Sequence, residues 1–536
     1  MHEENSNIIS NIPSNNDFFS KNSTRILIGI LISGLIIRLV YFPFDTPFSL
    51  DVFDFFGYAV NTSNFGEIPS EWFLANNGWP LLISIFFSII PVESFFDYTN
   101  LHRMISISIS VLTTVPIYLL CKNFFNKKIA LIGSALFVLN PFIINDSLLG
   151  GNHILFTMIL TFALYFMISN KIKTIYFSFF LIGILAVIRY EAFLLIIPFS
   201  ILLIIKLKKE GLKHIPKIFL ALACFIIIIL PFSVVDIINH NKDGLTSHLD
   251  SGIIHINNNI INNEKTGEDW TDNVEGNIAQ QFIWKGFENI LRHIIILTLP
   301  LILFLMPYGI FRIFKENNFE RLVIILVGIT LLIPAFYAYS RDFNDTKFLI
   351  PLIPILTIIS LFIIQKIHEK TNRTTIVNLI ILTTILLSSA VIVELTHTNF
   401  AYDKEKFLVA EKVVKLSDGY LRYPPESNHI KGAEVKINWL EKIPNDSNGH
   451  VERQIKVFDY EMDDTLDEIL MKYETEGLTH IIIDQNQNRP SFFVDVFHNE
   501  EKYPFLIKEY DSKDDNLIYK VKIFKIDYDI FKILKN

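Results

Sequence analysis

Cysteine is scarce in this sequence, with two residues, Cys121 and Cys224, among 536. Cys121 ends one apolar run and Cys224 lies inside another, so the sequence has neither a disulfide framework nor the ligand spacing of a cysteine metal site. Charge is also sparse, at 19% of residues, and the formal net charge is -8. These features argue against a nucleic-acid partner, because a phosphate backbone requires a concentrated basic surface.

Hydrophobic residues make up 51% of the chain, which is too apolar for a single soluble core. Apolar runs of about twenty residues, the length that crosses a bilayer as a helix, recur along the first three quarters. No small-residue cleavage site follows the first run, so we predict a retained helix there. We therefore predict a mainly α, polytopic transmembrane helical bundle with about eleven spans. The predicted spans are residues 25–44, 101–120, 129–145, 154–168, 174–188, 193–207, 215–235, 291–311, 322–339, 348–364 and 375–394.

The loops between these runs alternate in charge. If the first span runs from inside to outside, every inner loop carries Lys or Arg, whereas the outer loop of residues 45–99 is acidic and contains no Lys or Arg. The positive-inside bias then predicts a multi-pass cell-membrane protein with a cytoplasmic N-terminus and an extracytoplasmic C-terminus. The predicted organisation is a cytoplasmic tail at 1–24, a membrane domain at 25–395 and an extracytoplasmic domain at 396–536.

Segments outside the spans carry their own secondary-structure signals. Residues 78–90 are apolar but short and lie in the first outer loop, which is typical of an interfacial or re-entrant helix. After the last span, residues 462–476 have helical periodicity, His480–Asp484 has the pattern of a buried strand, and residues 517–528 alternate as a strand does. We predict a small extracytoplasmic α/β domain there.

Two acids follow the first predicted span within an aromatic stretch, Ser49-Leu-Asp-Val-Phe-Asp-Phe-Phe-Gly-Tyr58. Asp51 lies just beyond the helix exit, where the aromatic side chains would partly shield its carboxylate from water and make it a better proton acceptor. Asp54 lies one helical turn further, so both acids would share a face and could hold a metal or divide two roles. Acids at the outer end of a helix are also ordinary interface residues, and that alternative stays open.

Five features follow one another along the membrane part: Arg38-Leu39 in the first span, Asp51, the step Phe55-Phe-Gly-Tyr-Ala59, the stretch Asn77-Gly-Trp-Pro80, and Arg103 near the start of the second span. This layout resembles the GT-C superfamily of polytopic glycosyltransferases, which includes protein O-mannosyltransferases and lipid A aminoarabinose transferases. The resemblance implies an inverting sugar transfer from a polyprenyl-phosphate donor, with the first-loop acid as general base. By position that acid is Asp51.

The sequence departs from the family pattern at the second acid. Many members carry an adjacent Asp-Glu pair in the first loop, whereas Val52 follows Asp51 here, so the second acid is Asp54 or comes from elsewhere. Asp146 occupies the second outer loop, where relatives often carry another acid. His153 is a further candidate ligand or acid/base group, although a lone His at a helix start is also an ordinary interface residue. The use of a divalent metal ion stays open.

A polyprenyl-phosphate donor requires cations at the outer ends of helices, where its phosphate lies at headgroup depth. We identify Arg341, Lys347, Arg189 and Arg103 as candidate phosphate-binding residues. The alternative is local pairing, of Arg189 with Glu191 and of Arg341 with Asp342 or Asp345. Arg38 lies deeper in its span and is predicted to hold the first loop by pairing with an acid.

The sequence thus predicts a membrane glycosyltransferase whose partners are a polyprenyl-phosphate sugar donor, membrane lipids, and a protein, lipid or glycan acceptor. The alternative is a polytopic secondary transporter or flippase-like protein with an extracellular domain. Transporters place ionisable groups near the bilayer midplane, often in repeated halves, whereas here these groups gather at outer ends and no repeat is visible. Oligosaccharide transfer to Asn is disfavoured, since a resemblance to the enzymes that carry it out would imply a Trp-Trp-Asp stretch, and the C-terminal region has none. A non-catalytic anchor would need only one or two spans.

Overall fold

The computed structural model divides the chain into two compact units. The first unit comprises Met1–Phe42, Ser70–Trp79 and Arg103–His397, and the second comprises Pro43–Pro69, Pro80–His102 and Thr398–Asn536. The structure describes residues 18–535 apart from 49, 70–72, 93, 209–214, 262–276, 299–300, 317, 372, 397–399, 422–426, 435, 437–454, 460–463 and 487–488.

Helices dominate the residues that the structure describes. In chain order they are α1 (Phe18–Lys21), α2 (Ser23–Val40), α3 (Leu50–Phe65), α4 (Gly78–Ile89), α5 (Phe95–Leu112), α6 (Thr114–Cys121), α7 (Lys127–Val138), α8 (Pro141–Leu149), α9 (His153–Ile168), α10 (Ile172–Ile188), α11 (Ile196–Leu207), α12 (Ile215–His240), α13 (Gly244–His255), α14 (Ile278–Leu297), α15 (Leu301–Lys315), α16 (Phe319–Ser340), α17 (Ile353–Lys370), α18 (Thr374–Thr396), α19 (Phe400–Leu416), α20 (Ser427–Glu434), α21 (Leu466–Tyr473), α22 (Ser491–His498) and α23 (Tyr528–Lys535). Tyr190–Leu195 and Thr346–Leu352 are 3₁₀ helices, as is Glu500–Lys502, and Ile256–Ile261 is a π-helix.

The predicted fold class is confirmed. Within the described residues, seven helices are long and apolar enough to cross a membrane, or nine if each of two bent pairs counts as one span. Two of the shorter apolar helices, His153–Ile168 and Ile172–Ile188, coincide with the predicted spans at 154–168 and 174–188. The total of about eleven spans stays a prediction. The short apolar segment predicted at 78–90 is helix α4.

The predicted span at 291–311 is wrong as a single straight helix, because α14 and α15 meet at 118°. Helix α14 begins at Ile278, well before the predicted start, and its sequence includes Lys285, Glu288 and Arg292. Pro300 follows in the sequence, and proline disfavours helical backbone in the residue before it. The span predicted at 129–145 is also bent, by 48°, where Asn140 caps the start of α8.

The predicted small α/β region is confirmed as a five-stranded sheet in the second unit. The strands are β1 (Gly419–Leu421), β2 (Lys456–Phe458), β3 (His480–Asp484), β4 (Leu506–Asp511) and β5 (Val521–Ile526), in the order β2-β1-β3-β5-β4. The first three strands are parallel, and β5 pairs antiparallel with both β3 and β4. All five residues of β3 are buried, as predicted. The predicted domain boundaries at 24 and 395 stay a prediction.

Candidate active site

Helix α3 carries the two first-loop acids on its exposed side. Asp51 lies in the first turn and Asp54 follows one turn later, and both side chains are exposed. Aromatic residues of the same helix point into the second unit instead, where Phe56 packs against Phe48 and Phe95 at centroid distances of 5.4 and 5.5 Å. The shielding expected for Asp51 is therefore wrong, because its side chain is exposed although the neighbouring rings of the helix are buried.

The shared exposed face of Asp51 and Asp54 supplies two carboxylates for a metal ion. Calcium takes six to eight oxygen ligands and magnesium requires octahedral geometry. Among the described residues, no group of three or more His, Cys, Asp and Glu side chains could hold a metal ion. These residues do not form a complete metal site, and we assign no chemical step to a metal.

A buried acid–histidine pair joins α8 to the start of α9, because Asp146 lies within α8 and His153 is the first residue of α9. His153 Nδ1 is 3.1 Å from Asp146 Oδ1, and the two side chains are 13% and 9% exposed. The second carboxylate oxygen, Asp146 Oδ2, is buried and has no hydrogen-bond partner among the described residues. Gly151 leaves room for the pair, since a Cβ there would lie 3.1 Å from His153 Nδ1. The structure thus brings together two residues that the sequence offered separately.

The backbone around this pair is held by buried side chains of the first unit. Arg38 is fully buried and donates to Ser147 Oγ at 3.0 Å, to Ser110 Oγ at 2.8 Å, and to the carbonyls of Gly34 and Val138. The prediction that Arg38 pairs with an acid is wrong, because hydroxyl and carbonyl oxygens satisfy its guanidinium.

Two further donors hold the end of α8. Arg103 donates through Nε to the carbonyl of Leu148 at 3.1 Å, and the Trp79 indole donates to the carbonyl of Gly150 at 3.0 Å. Carbonyls at a helix C-terminus lack intrahelical partners, and these donors bind two such carbonyls. The geometry gives Arg103 a structural contact, and its role as a phosphate ligand stays a prediction.

Arg189 and Glu191 form a buried ion pair between α10 and α11. Arg189 Nη2 lies 2.7 Å from Glu191 Oε1, and the side chains are 10% and 15% exposed. Burial lowers the pKa of the Arg189 guanidinium, but the Glu191 carboxylate outweighs it, with smaller contributions from Tyr190 and Asp146, so the pKa is raised. The structure thus pairs Arg189 with Glu191, which is the local pairing given above as the alternative to phosphate binding. Sequence reasoning treated Glu191 only as a local partner and missed its burial.

The cation loop, defined as residues 341–347, runs from the end of α16 into the first two residues of the following 3₁₀ helix. Arg341 Nη1 is 3.4 Å from the Tyr337 hydroxyl, and its guanidinium lies 5.6 Å from the centre of the Tyr337 ring. Asp342 pairs with Lys285 at 3.1 Å, and Asp345 pairs with Lys347 at 3.5 Å. Both Arg341 and Lys347 are half-buried beside aromatic rings.

Three predicted site residues of the first unit belong to one electrostatic cluster. Asp146 interacts with Arg189, and Tyr190 interacts with both Arg189 and Arg341. A small pocket, part of it open to solvent, is lined by the Arg189–Glu191 pair and by apolar side chains. The apolar lining includes Phe156, Leu195, Pro334 and Phe348. Asp51 and Asp54 belong to the second unit.

Comparison with solved structures identifies the fold. The oligosaccharyltransferase of Archaeoglobus fulgidus, in complex with Zn and sulfate, superimposes with a TM-score of 0.55 at 10% identity, covering 86% of this chain and 68% of its own. ArnT from Cupriavidus metallidurans, bound to undecaprenyl phosphate, gives a TM-score of 0.50 at 11% identity and covers 93% and 97% of the two chains. The chain has the GT-C fold.

Sequence comparison agrees with this assignment. Residues 79–234 match the family model of dolichyl-phosphate-mannose-protein mannosyltransferases. A third GT-C structure, AglB from Archaeoglobus fulgidus with an inhibitory peptide and a dolichol-phosphate, has a TM-score of 0.50 at 10% identity and covers 87% of this chain and 70% of its own. Comparison with curated proteins gave no significant match. The GT-C resemblance seen in the sequence is confirmed, and the matched region contains Asp146, His153, Arg189 and Glu191.

Proposed function

We propose that this GT-C protein transfers a sugar from a polyprenyl-phosphate-linked donor to a protein, lipid or glycan acceptor on the extracytoplasmic face of a membrane. The observation that carries the proposal is the small pocket of the first unit, where apolar side chains adjoin the buried Arg189. The half-buried Lys347 directly precedes Phe348 of that lining. An apolar wall suits a polyprenyl chain, and cations suit its phosphate. Two structural relatives were solved with dolichol-phosphate and with undecaprenyl phosphate, which supports this class of donor.

In the proposed reaction, Asp51 is the general base. The acceptor oxygen or nitrogen forms a bond to the anomeric carbon of the sugar while the bond from that carbon to the donor phosphate oxygen breaks. Asp51 takes the proton of the acceptor, and the polyprenyl phosphate leaves with the bonding electrons. Attack opposite the leaving phosphate inverts the anomeric configuration. The phosphate is stabilised by Arg341 and Lys347, with Arg189 and Arg103 as further candidates.

The cation loop gives the first quantitative prediction. Arg341→Ala and Lys347→Ala should each weaken donor binding by about 1 to 3 kcal/mol, the range for hydrogen bonds to a charged group. Acceptor affinity should change less, because the cations bind the donor phosphate. Equilibrium binding of undecaprenyl phosphate to purified protein in nanodiscs measures the effect.

Lys127→Ala is the matched control, because Lys127 is an exposed cation in a predicted inner loop. This variant should bind undecaprenyl phosphate like the parent protein. Unaltered binding by a folded Arg341→Ala, Lys347→Ala double variant would remove both residues from the donor site.

The second prediction concerns orientation. In a protein with Cys121→Ser and Cys224→Ser, a cysteine introduced as Lys404→Cys should react with a membrane-impermeant thiol reagent added to whole cells. Lys208→Cys should react only after the membrane is opened, since it lies in a predicted inner loop. Both positions are exposed within their own units. Labelling of Lys208→Cys alone in intact cells would invert the topology and remove the proposed reaction from the outer face.

A further inference from the structure

Helix α14 carries two polar residues on the face that it buries. The buried positions of this helix are Ile278, Phe282, Gly286, Asn289, His293 and Leu297, which follow one another at steps of three or four residues and therefore share one side. Apolar residues alone would satisfy packing there, and a buried polar group costs free energy unless it is hydrogen-bonded. Asn289 and His293 are only 8% and 4% exposed, so the groups that they contact inside the protein indicate their role.

Both residues bind Tyr339, the second-to-last residue of α16. The Asn289 side chain donates to the carbonyl of Tyr339 at 3.0 Å, and the imidazole of His293 stacks on the Tyr339 ring with centroids 4.5 Å apart and planes 13° apart. His293 Nδ1 donates to the carbonyl of Asn289 at 2.7 Å, which fixes the orientation of the ring. The two side chains therefore hold both the backbone and the ring of Tyr339.

Tyr339 transmits this constraint to the far end of the cation loop. Its hydroxyl donates to the carbonyl of Asp345 at 2.8 Å, and the Asp345 carboxylate accepts from the backbone N–H of Lys347 at 2.9 Å. The carbonyl of Tyr339 lies in the last turn of α16 and also accepts from the backbone N–H of Asp342 at 3.2 Å. Asn289 adds a second donor to that carbonyl, so the Asn289 side chain fixes the helix end and the Tyr339 side chain fixes the loop end.

The near end of the loop is held by the same helix. Lys285 pairs with Asp342, whose φ of 65° is uncommon for a residue other than glycine. Gly286, which follows Lys285 in α14, allows this helix to approach α16 closely. A Cβ at position 286 would collide with Ser340 Oγ and with the Phe336 ring. The backbone turn at Asp342 is thus held by packing and by an ion pair to α14.

We propose that Asn289 and His293 are positioning residues that preorganise the cation loop, so that Arg341 and Lys347 are in place before the donor phosphate arrives. The inference rests on the proposed function, in which those two cations bind the phosphate. A loop that is already ordered loses less conformational freedom on binding, and the affinity rises accordingly. Neither residue touches the donor in this account, and their effect passes through Tyr339.

The test is a double-mutant cycle with undecaprenyl phosphate as the probe, measured on the full chain in nanodiscs. Asn289→Leu, which keeps the volume and removes the donor, should raise the dissociation constant about tenfold. When Asn289→Leu is added to the Arg341→Ala, Lys347→Ala variant, the dissociation constant should change less than about twofold, because the cations that Asn289 positions are then absent. Arg292→Gln, an exposed neighbour on the same helix, should bind like the parent.

A second pair of variants separates positioning from general stability. His293→Ala removes the stacked ring and should weaken binding, whereas His293→Phe retains a flat ring and should restore most of the affinity. A spin label at Phe343→Cys, in the cation loop, should become more mobile in Asn289→Leu and His293→Ala but not in His293→Phe. Where a variant of α14 fails to fold, Lys285→Ala breaks the partly exposed ion pair to Asp342 and should mobilise the same label.

The outcomes distinguish the two proposals. If the Arg341→Ala, Lys347→Ala variant binds undecaprenyl phosphate like the parent, the proposed donor site fails. If that variant binds weakly while Asn289→Leu and His293→Ala bind normally, the positioning role fails and the donor site stands. If Asn289→Leu lowers the affinity for undecaprenyl phosphate equally with and without Arg341 and Lys347, the positioning role also fails. The effect of Asn289 would then not pass through those two cations.

Discussion

Asp51→Asn is expected to reduce sugar transfer by roughly 10² to 10⁴-fold, the usual contribution of a general base. The substitution keeps the shape of the side chain and removes its ability to take the acceptor proton. Asp51 also lies in the first turn of α3, where an acid stabilises the helix by about 0.3 to 1 kcal/mol. That term is too small to account for a hundredfold loss of rate. Undecaprenyl phosphate binding should persist, and thermal stability measured alongside should change little.

Asp54→Asn is the matched control for this prediction, since Asp54 is also exposed and lies one turn away on the same helix. It should reduce transfer much less than Asp51→Asn does. Joint loss of activity in both variants, reproduced by a chelator, would indicate a metal held by the two acids. A folded Asp51→Asn protein within about threefold of the parent rate would overturn the base assignment, because a general base contributes far more.

Arg189→Ala is expected to lower the free energy of unfolding by about 3 to 5 kcal/mol, the range found when one partner of a buried ion pair is removed. Glu191 is 15% exposed and would keep a buried charge without its cation. Replacing both residues, as Arg189→Gln with Glu191→Gln, should restore much of the stability because no charge then stays buried. Denaturant unfolding in detergent, followed by tryptophan fluorescence, measures these differences.

Arg312→Ala provides the comparison for the ion-pair prediction. Arg312 pairs with Glu316 at 2.7 Å, but the two side chains are 37% and 43% exposed. An exposed pair contributes about 0 to 1 kcal/mol, so this variant should unfold close to the parent. If Arg189→Ala and Arg312→Ala lower the free energy of unfolding equally, Arg189 does not stabilise the buried charge of Glu191.

Much of the fold could be predicted because apolar length is a strong signal in a chain that must satisfy its backbone hydrogen bonds in lipid. The runs at 215–235 and 322–339 are each found within one long helix, Ile215–His240 and Phe319–Ser340. Strand His480–Asp484 was also identifiable, since a short run of β-branched residues is typical of a buried strand. The bend between α14 and α15 could not be predicted, because the length and apolar character of a run do not reveal a break within it.

The site was predictable only in part. Acids and arginines at helix ends can be located by position, and Asp146, Arg189 and Arg341 do share one electrostatic cluster. The direction of a side chain depends on helix rotation, which a sequence run does not specify, so the shielding of Asp51 was predicted wrongly. Asn289 and His293 gave no signal beyond two polar residues four positions apart, and their role depends on Tyr339, fifty residues away from Asn289.

The most direct measurement of the central claim is release of label from a lipid-linked donor by the purified protein in nanodiscs. Undecaprenyl-phosphate-linked and dolichyl-phosphate-linked radiolabelled sugars are incubated with a membrane extract as acceptor source, and the label remaining in the polyprenyl-phosphate fraction is followed. The account predicts that label from at least one donor moves to an acceptor with the parent protein and not with Asp51→Asn. Transfer at equal rates by both proteins, or label that stays in the polyprenyl-phosphate fraction with the parent protein for both donors, would contradict it.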